Sequence, residues 1–408
     1  MSDETGRADD SQVEVYIPEA PPLISTDDGL RAHLSLLRND TGPVAIDTER
    51  GSGFTYNQRP YLIQLASATT DVMLIDPLPL SPQVVAELQE TLQPKQWVLH
   101  SAGQDLSSLK LIGLTPELIF DTELSARLLG YERVGLGALL EEILGVKLAK
   151  EHGHSDWSTR PLPQAWLSYA AGDVEFLIEL AQTLHTQLRE QHRDHWADQE
   201  FSWILRAPEP AAKPYPWRST KDIHRVTTRR GLALVERIWC HRESIAQELD
   251  LAPHRIIKDR EISSICSLAT ERSAKKCRGA LRRRHWGPNV TREQGLRFVD
   301  LIDEIDQLQE KDLPPRKVEQ PVKNSPGSWA RKKPAALQRW KVLRPGLVDC
   351  ASQWGVAPEI LLSPAALKAV AWEPLGLDGP SVDRQFESLM VRPWQREIVV
   401  PLVAGLLS

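Results

Sequence analysis

A proline-rich segment, RAPEPAAKPYPWR from Arg206 to Arg218, divides the chain into two parts with different patterns. Its prolines cannot continue a helix and favour an extended connector. Before it, from Leu23 to about Leu205, short apolar β-type runs alternate with amphipathic helical stretches, which indicates an α/β domain. After it, apolar residues recur on one helical face between Leu232 and Leu249, which indicates an all-α region. A chain of 408 residues is long enough for two or three such domains.

A second proline-rich connector, LPPRKVEQPVKNSPGS from Leu313 to Ser328, divides the helical part. The segments on either side of it, IAQELDLAPHRIIKD (Ile245 to Asp259) and CASQWGVAPEILLSP (Cys350 to Pro364), align without gaps. A duplicated helical domain explains this similarity. Two unrelated helix-turn-helix elements with similar turn chemistry would explain it as well.

These connectors give the predicted domain boundaries. The first residues, MSDETGRADD, are acidic and polar, which predicts a disordered tail rather than a secretory or transit signal. The predicted order is a disordered tail (1–20), an α/β domain (21–207), a linker (208–224), a helical domain (225–310), a linker (311–334) and a second helical domain (335–408).

Composition argues against several classes of function. The longest apolar run, IVVPLVAGLLS, is shorter than the roughly 20 residues that span a bilayer, which predicts a cytoplasmic protein that does not enter a membrane. The four cysteines form no CxxC pair, which argues against a zinc site and a disulfide scaffold. The net charge of −6 does not suggest a nucleic-acid binder, yet the run ERSAKKCRGALRRRHW, Glu271 to Trp286, is strongly basic. Nothing in the sequence indicates an organic cofactor.

The tripeptide Asp-Thr-Glu occurs twice, in two different contexts. In VAIDTERGSG it follows an apolar strand, and alternation along a strand places Asp47 and Glu49 on one face while Thr48 points away. Two converging carboxylates are unfavourable unless a cation lies between them, and oxygen ligands suit Mg²⁺ or Mn²⁺. In LIFDTELSARLLG the same tripeptide begins a helix, where Asp121 is predicted to be the N-cap and Glu123 to favour the helix dipole.

Further acidic residues come from two other segments. WVLHSAGQDLSSLK is predicted to be a buried strand, a turn and a helix that has Asp105 near its start, where helix capping is the simpler interpretation. A long amphipathic helix is predicted from Pro163 to about Leu188, on which Tyr169 and Asp173 are four residues apart and share a face. Gly172 in this helix favours close approach of another element.

Together these motifs resemble those of a known enzyme family. The tripeptide of the first strand, the Asp in HSAGQDL and the YxxxD pattern from Tyr169 to Asp173 resemble the three exonuclease motifs of the DEDD superfamily, in its tyrosine-bearing branch. SDWSTRPLPQAWLSYAAGDVEFL, Ser155 to Leu177, resembles the third-motif region of the ribonuclease D family, although Gly172 stands where Ala is usual. The duplicated segments resemble the helicase-and-ribonuclease-D C-terminal (HRDC) domain.

This resemblance implies a fold, an activity and partners. The fold would be an α/β ribonuclease H-like exonuclease domain, with a mixed sheet flanked by helices, followed by two all-α HRDC-like domains. Asp47, Glu49, Asp105 and Asp173 would hold two divalent cations, Mg²⁺ or Mn²⁺, and Tyr169 would orient the attacking water. The reaction would be hydrolysis of the terminal phosphodiester from a 3′ end, with release of 5′-nucleotides, and RNA such as tRNA precursors would be the substrate. Two alternatives remain: a 3′–5′ exonuclease on single-stranded DNA, and an inactive nucleic-acid-binding scaffold.

Substrate-binding residues are predicted in two places. Trp157 and Arg160 precede the helix that carries Asp173 and are predicted to line the nucleic-acid entrance, by stacking and by phosphate contact. The basic run supplies candidate phosphate-binding residues, with Trp286 as a stacking residue. These candidates are Lys275, Lys276, Arg278, Arg282, Arg283 and Arg284.

Three other polar positions are given structural roles or a minor one. His100 closes an apolar strand and is predicted to be a packed, hydrogen-bonded residue rather than a catalytic one. Gln64 lies mid-strand among apolar residues and is predicted to have a structural role near the site. His152 and His154 lie in a polar loop and are predicted to touch substrate at most.

Overall fold

A computed structural model of the chain describes residues 15–149, 153, 155–208, 213–317 and 326–407. The exonuclease-like part contains short and long strands together with eight α-helices. The strands are β1 Val15–Tyr16, β2 Leu23–Ile24, β3 Val44–Arg50, β4 Pro60–Ser67, β5 Met73–Ile75, β6 Gln96–Leu99, β7 Leu118–Asp121 and β8 Lys147–Leu148. The helices are α1 Asp27–Asn39, α2 Pro82–Leu92, α3 Gly103–Lys110, α4 Thr122–Leu129, α5 Leu136–Leu139, α6 Gln164–Glu175, α7 Leu177–Glu190 and α8 Asp194–Arg206.

Six of these strands form one mixed sheet in the order β2-β5-β4-β3-β6-β7. β3 pairs antiparallel with β4 and parallel with β6, so the strand that carries the first Asp-Thr-Glu lies inside the sheet. Its apolar residues Val44, Ala45 and Ile46 are buried. Helices pack on the sheet and complete the predicted α/β fold.

The long helix predicted from Pro163 to Leu188 is divided in two. The backbone of Phe176 leaves the helical region, with φ −105° and ψ 4°, so α6 ends at Glu175 and α7 begins at Leu177. This break lets α6 contact β3 and β4 while α7 packs on α4.

The segment from Val15 to residue 20 corrects the predicted disordered tail. β1 pairs parallel with β8, and the Tyr16 hydroxyl donates to Glu175 over 2.6 Å. Pro18 packs against Gly172, where an added Cβ would come within 2.9 Å of the Pro18 Cγ. The polar composition of the first residues extends only part of the way to residue 20, and residues 1–14 lie outside the described part. The close approach predicted at Gly172 is confirmed, and Pro18 is the residue that makes it.

The remainder of the described chain is helical. The first helical domain contains α9 Arg229–Leu249, α10 Asp259–Cys266, α11 Arg278–Arg283 and α12 Arg292–Gln307. The second contains α13 Trp329–Lys332, α14 Pro334–Trp354, α15 Pro358–Leu361, α16 Pro364–Trp372, α17 Gly379–Ser388 and α18 Pro393–Leu407. Both predicted linkers contain structure at their C-terminal ends, because Trp217 and Trp329 are buried in the helical cores.

The two aligned segments have matching backbone geometry. The helices α9 and α14 each have 21 residues, and each ends at a left-handed residue, Asp250 (φ 48°) or Gly355 (φ 63°). After these residues the N–H of Leu251 donates to the Ala246 carbonyl, and the N–H of Val356 donates to the Ala351 carbonyl, in the same way. This 6→1 bond is the signature of a Schellman helix end. The shared corner supports the duplication.

Both helical domains dock on the α/β domain. The Ala252 N–H donates to the Phe54 carbonyl over 3.0 Å, which fixes the first helical domain to the loop after β3. In the second, the Trp394 ring stacks on Trp196 of α8 with centroids 4.4 Å apart. The Trp394 indole N–H also donates to the buried Glu200 carboxylate over 2.9 Å.

Candidate active site

Three carboxylates converge where α6 crosses β3. Asp47 and Glu49 project from the same face of β3, and Asp173 comes from α6. One carboxylate oxygen from each lies within 4.8 Å of the others. The convergence of Asp47 and Glu49 predicted from strand alternation is therefore present, and Asp173 lies beside them, as the family resemblance implied.

The fourth acid, Asp105, is held beside this cluster by Thr48. Asp105 lies in the first turn of α3 and is buried. The Thr48 hydroxyl donates to its carboxylate over 2.6 Å and lies 3.3 Å from the Ser108 hydroxyl. The sequence places Thr48 away from Asp47 and Glu49 but assigns it no task. Thr48 alternates with Asp47 and Glu49 along β3, so its side chain lies on the other face of the strand. This alternation could have indicated that Thr48 contacts another element.

Burial raises the pKa of all four acids, and repulsion by other acids of the cluster adds to it for Asp47, Glu49 and Asp173. The pKa of Asp47 lies well above its ordinary value, through burial first and then through Asp105, Asp173 and Glu49. The same causes, with Asp173 the strongest neighbour, raise the pKa of Glu49 to about 9. Burial raises the pKa of Asp173 to about 7, with Asp105 adding to it, and burial raises that of Asp105 to about 6 against the hydrogen bond from Thr48.

The cluster fits a divalent cation. Among the described residues, Arg50 is the basic side chain that lowers the pKa of Glu49 and Asp105, and one guanidinium does not offset four carboxylates. Gln64, opposite Asp47 in β4, donates to the Asp47 carboxylate over 3.3 Å and so has the structural role predicted for it. Four converging oxygen ligands without matching positive charge are the donor set that Mg²⁺ and Mn²⁺ prefer.

Tyr169 lies one helical turn before Asp173 and remains a neutral phenol. Burial raises its pKa above the ordinary value, and Asp173, Glu49 and Asp47 raise it further. Its hydroxyl lies near Gly153, where an added Cβ would be 3.4 Å away. The side chain can therefore donate a hydrogen bond beside the cluster, and it is a poor general base.

The second Asp-Thr-Glu has the structural role that its context predicts. Asp121 is the N-cap of α4 and accepts the Leu124 N–H over 3.0 Å. Its carboxylate also accepts the N–H groups of Ser101 and Ala102, so it holds the turn that leads into α3 and Asp105. Glu123 forms an ion pair with Arg127 on the same helix.

His100 is packed and hydrogen-bonded, as predicted. Its Nδ1 lies 2.9 Å from the Thr122 hydroxyl, and burial lowers its pKa. His152 and His154 lie outside the described residues.

The entrance residues predicted before α6 are engaged elsewhere. Trp157 is only 1% exposed and packs against Trp166, with ring centroids 5.3 Å apart, so its indole cannot stack on a base. The Arg160 guanidinium donates to both oxygens of the buried Asp76 over 2.7 and 2.9 Å and to the Tyr61 carbonyl over 2.8 Å. Both predictions are corrected, because Trp157 is covered by Trp166 of α6, and the partners of Arg160 lie in β4 and directly after β5, far away in the sequence.

Within the basic run, some side chains form ion pairs and others remain exposed. Arg278 pairs with Asp303, and Arg284 pairs with Glu261 over 3.3 Å. Trp286 stacks on Phe298 at 4.5 Å with Arg284 over its ring, so the predicted base-stacking role for Trp286 is wrong. Four of the six candidate phosphate-binding side chains remain exposed. They are Lys275, Lys276, Arg282 and Arg283.

Comparisons with known proteins give the family. Residues 21–189 match a family model described as a 3′–5′ exonuclease, and residues 323–407 match one described as the 3′ to 5′ exonuclease C-terminal domain. A ribonuclease D from Granulibacter bethesdensis is 32% identical over 362 residues, which cover 87% of each chain. This chain belongs to the ribonuclease D family. A ribonuclease D from Gluconacetobacter diazotrophicus is 30% identical, again over 87% of each chain.

Solved structures of similar proteins extend over nearly the whole chain. A protein from Bifidobacterium adolescentis superposes with a TM-score of 0.84 at 28% identity, covering 96% of this chain and 98% of that one. Escherichia coli RNase D superposes with a TM-score of 0.66 at 22% identity, covering 95% and 98%, and shows that the fold is shared. Among the residues that the structure describes, no helix is both long and apolar enough to cross a bilayer.

Proposed function

We propose that this ribonuclease D family member is a metal-dependent 3′–5′ exoribonuclease that hydrolyses the terminal phosphodiester and releases 5′-nucleotides. The observation that carries the proposal is the convergence of three carboxylates within 4.8 Å, with Asp105 held beside them by Thr48. Keeping four like charges together is costly unless the site uses them. This cost also argues against an inactive scaffold.

Asp47, Glu49, Asp105 and Asp173 would hold two divalent cations, Mg²⁺ or Mn²⁺, which would supply an acidified water and neutralise the charge that develops at the leaving oxygen. Thr48 fixes the rotamer of Asp105, and Gln64 fixes that of Asp47. The Tyr169 phenol keeps its proton and donates it in a hydrogen bond that orients the nucleophile.

The proposed substrate is structured RNA with a free 3′ end, and tRNA precursors are the class that the family resemblance suggests. The exposed residues Lys275, Lys276, Arg282 and Arg283 would supply positive charge at a distance from an acidic site. Support for this part comes from the ribonuclease D relatives and from the polyanion's need for counter-charge.

The two copies of the tripeptide provide a matched test. Glu49→Gln and Glu123→Gln remove the same charge from the same motif, but only Glu49 belongs to the cluster. On a 5′-labelled tRNA with a short 3′ extension in Mg²⁺ or Mn²⁺, we expect shortening from the 3′ end by the wild type. We expect Glu49→Gln to slow it by roughly a hundredfold or more, and Glu123→Gln by less than about twofold.

The same assay can also contradict the proposal. EDTA should abolish shortening in every variant, because the carboxylates alone repel the phosphate. Equal activity of Glu49→Gln and the wild type, or shortening that persists in EDTA, would remove the proposal. Shortening of single-stranded DNA but not of RNA would keep the chemistry and change the substrate.

A further inference from the structure

A cavity of about 800 Å³ lies between the α/β domain and the first helical domain. Its walls are the end of β3 with the loop that follows, the helix α3, and the C-terminal end of α9. Arg50, which lines it, directly follows Glu49, and Ser108, which also lines it, is hydrogen-bonded to Thr48 beside Asp105. The cavity therefore begins next to the carboxylate cluster, and its volume is within the range of ligand sites, about 300–1,000 Å³.

Two guanidinium groups give this cavity its positive charge. Arg50 donates to the Gln104 side chain over 2.8 Å, and Arg59 lies over the Tyr61 ring at 5.4 Å. The Arg59 Nε is buried and has no hydrogen-bond partner among the described residues. Because the Arg59 side chain as a whole is only half-buried, its terminal guanidinium nitrogens, rather than the inaccessible Nε, are the donors open to an acceptor from outside the chain.

The cavity also contains one carboxylate, Asp250, so its two arginines leave a net positive charge. Asp250 accepts the Asn57 N–H over 2.8 Å and the Tyr61 hydroxyl over 3.3 Å, so its oxygens are occupied by the contact between the domains. On the opposite wall, Gln247 of α9 is exposed and neutral. The cavity thus presents cationic and amide donors to its interior.

We propose that this cavity binds the phosphates of the single-stranded nucleotides that lie 5′ of the scissile bond, with Arg59 as a phosphate ligand and Arg50 as a second one nearer the carboxylates. This inference rests on the proposed function, since a strand must already end at the cluster. Guanidinium groups bind phosphate oxygens bidentately, and a strand that reaches Asp105 past Ser108 passes both arginines. The first helical domain supplies one wall, so its docking on Phe54 and Asn57 forms part of the substrate site.

The test measures binding separately from hydrolysis. In a full-length Asp173→Asn background, which removes one cluster acid, Arg59→Gln should raise the Kd for a fluorescent single-stranded RNA of about ten nucleotides by roughly tenfold. It should also reduce the slope of log Kd against log salt by about 0.7, the loss of one phosphate contact. Arg189→Gln, at an exposed arginine of α7 outside the cavity, is the charge-matched control and should change neither quantity.

The exposed wall residue gives a second test that does not depend on a half-buried side chain. Gln247→Glu should weaken RNA binding and Gln247→Lys should strengthen it, each by a fewfold. If Arg59→Gln and both Gln247 variants bind RNA like their parent while the wild type shortens RNA, the cavity proposal is overturned and the exonuclease stands. If they alter binding as expected but the wild type shortens no RNA, the exonuclease proposal fails and the cavity remains a nucleic-acid site.

Discussion

At the scale of single residues, the site depends on groups whose charge is set by burial. Tyr169 sits beside three acids and keeps its proton, because ionising the phenol would add a further negative charge to a crowded, partly dry cluster. The raised pKa favours the proposed role of Tyr169 as a hydrogen-bond donor over proton abstraction. Sequence spacing alone could place Tyr169 beside Asp173 but could not decide between these roles, since the decision depends on Asp47 and Glu49 from another element.

Tyr169→Phe tests this assignment. We expect kcat to fall by roughly 10–100-fold and KM to change little, because the ring still packs while the donated hydrogen bond is lost. A raised pKa keeps the phenol protonated as pH rises, so activity from about pH 6 to about pH 9 should have the same shape in both proteins. Steady-state rates across that range are the measurement. A wild-type profile with a Tyr-dependent ionisation that the Phe variant lacks would contradict the donor role.

Residue-scale prediction succeeds where the partner is near in sequence or fixed by periodicity. Asp47 and Glu49 were found through the two-residue alternation of β3, and the N-cap role of Asp121 through the helix that follows it. Arg160 was assigned to phosphate because its ligand, Asp76, is 84 residues earlier and arrives through strand pairing. The residues adjacent to an arginine in the sequence do not show whether it is free to bind phosphate or is already paired with a buried carboxylate.

At the scale of elements, the helix α6, which carries Asp173, is held by an N-terminal strap. We use this term for residues 15–20, which pair with β8 through β1 and contact α6 through Pro18 and Tyr16. Gly172 makes room for this contact, at a cost of roughly 1 kcal/mol in helix propensity relative to Ala. Composition suggested a disordered terminus. It could not show that residues 15–20 pack on α6 at Gly172.

Gly172→Ala tests the strap. Although Ala favours a helix, its Cβ would lie 2.9 Å from the Pro18 Cγ, so we expect a net destabilisation of about 1–2 kcal/mol from the displaced ring. Pro18→Ala removes the Cγ, and in that background Gly172→Ala should become neutral or stabilising. Gly137→Ala on α5, where no atom lies within 4 Å of the added Cβ, is the control. Thermal unfolding of the four variants measures this, and equal shifts for Gly172→Ala in both backgrounds would show that Pro18 is not the obstacle.

The helical repeats show what local chemistry can predict at this scale. The alignment of Ala246 with Ala351 identified the same helix end twice, because a Schellman corner is encoded by a few adjacent residues. The two corners then contact different parts of the α/β domain. In the first domain the Asp250 side chain binds Asn57 and Tyr61 near the site, and in the second the Trp354 carbonyl accepts from Arg193 over 2.6 Å. The surface that each corner contacts is determined by the folded α/β domain. The sequence of the repeat therefore does not predict it.

At the scale of the whole molecule, both helical domains are docked, although proline-rich connectors precede them. The second domain shares one continuous apolar core with the α/β domain through Trp196 and Trp394, and the buried Glu200 carboxylate pairs with Arg392 over 2.7 Å. Pairing of this kind is needed because a buried carboxylate without partners is strongly unfavourable. The composition of a linker indicates how flexible the linker itself is. It does not indicate how strongly the domains that it joins bind to each other.

A contact between the backbones of these two domains gives the last prediction. Gly130, the left-handed residue after α4, faces the carbonyl of Gly355, and an added Cβ would lie 1.9 Å from that oxygen. Gly130→Ala therefore combines left-handed strain with a clash against main chain, which cannot move aside as a flexible side chain can. Gly145 has a comparable conformation, φ 71°, with no atom within 4 Å of an added Cβ, so Gly145→Ala isolates the strain, about 1 kcal/mol.

We expect Gly145→Ala to lower the unfolding temperature slightly and to leave the radius of gyration by small-angle X-ray scattering unchanged. Gly130→Ala should lower it more and increase the radius of gyration, because the second helical domain separates from α4 and α8. Since the carboxylate cluster lies on β3, α3 and α6, removal of the terminal nucleotide from a short single-stranded RNA should persist in Gly130→Ala. Equal behaviour of the two variants in both measurements would show that the Gly130–Gly355 contact does not hold the domains together.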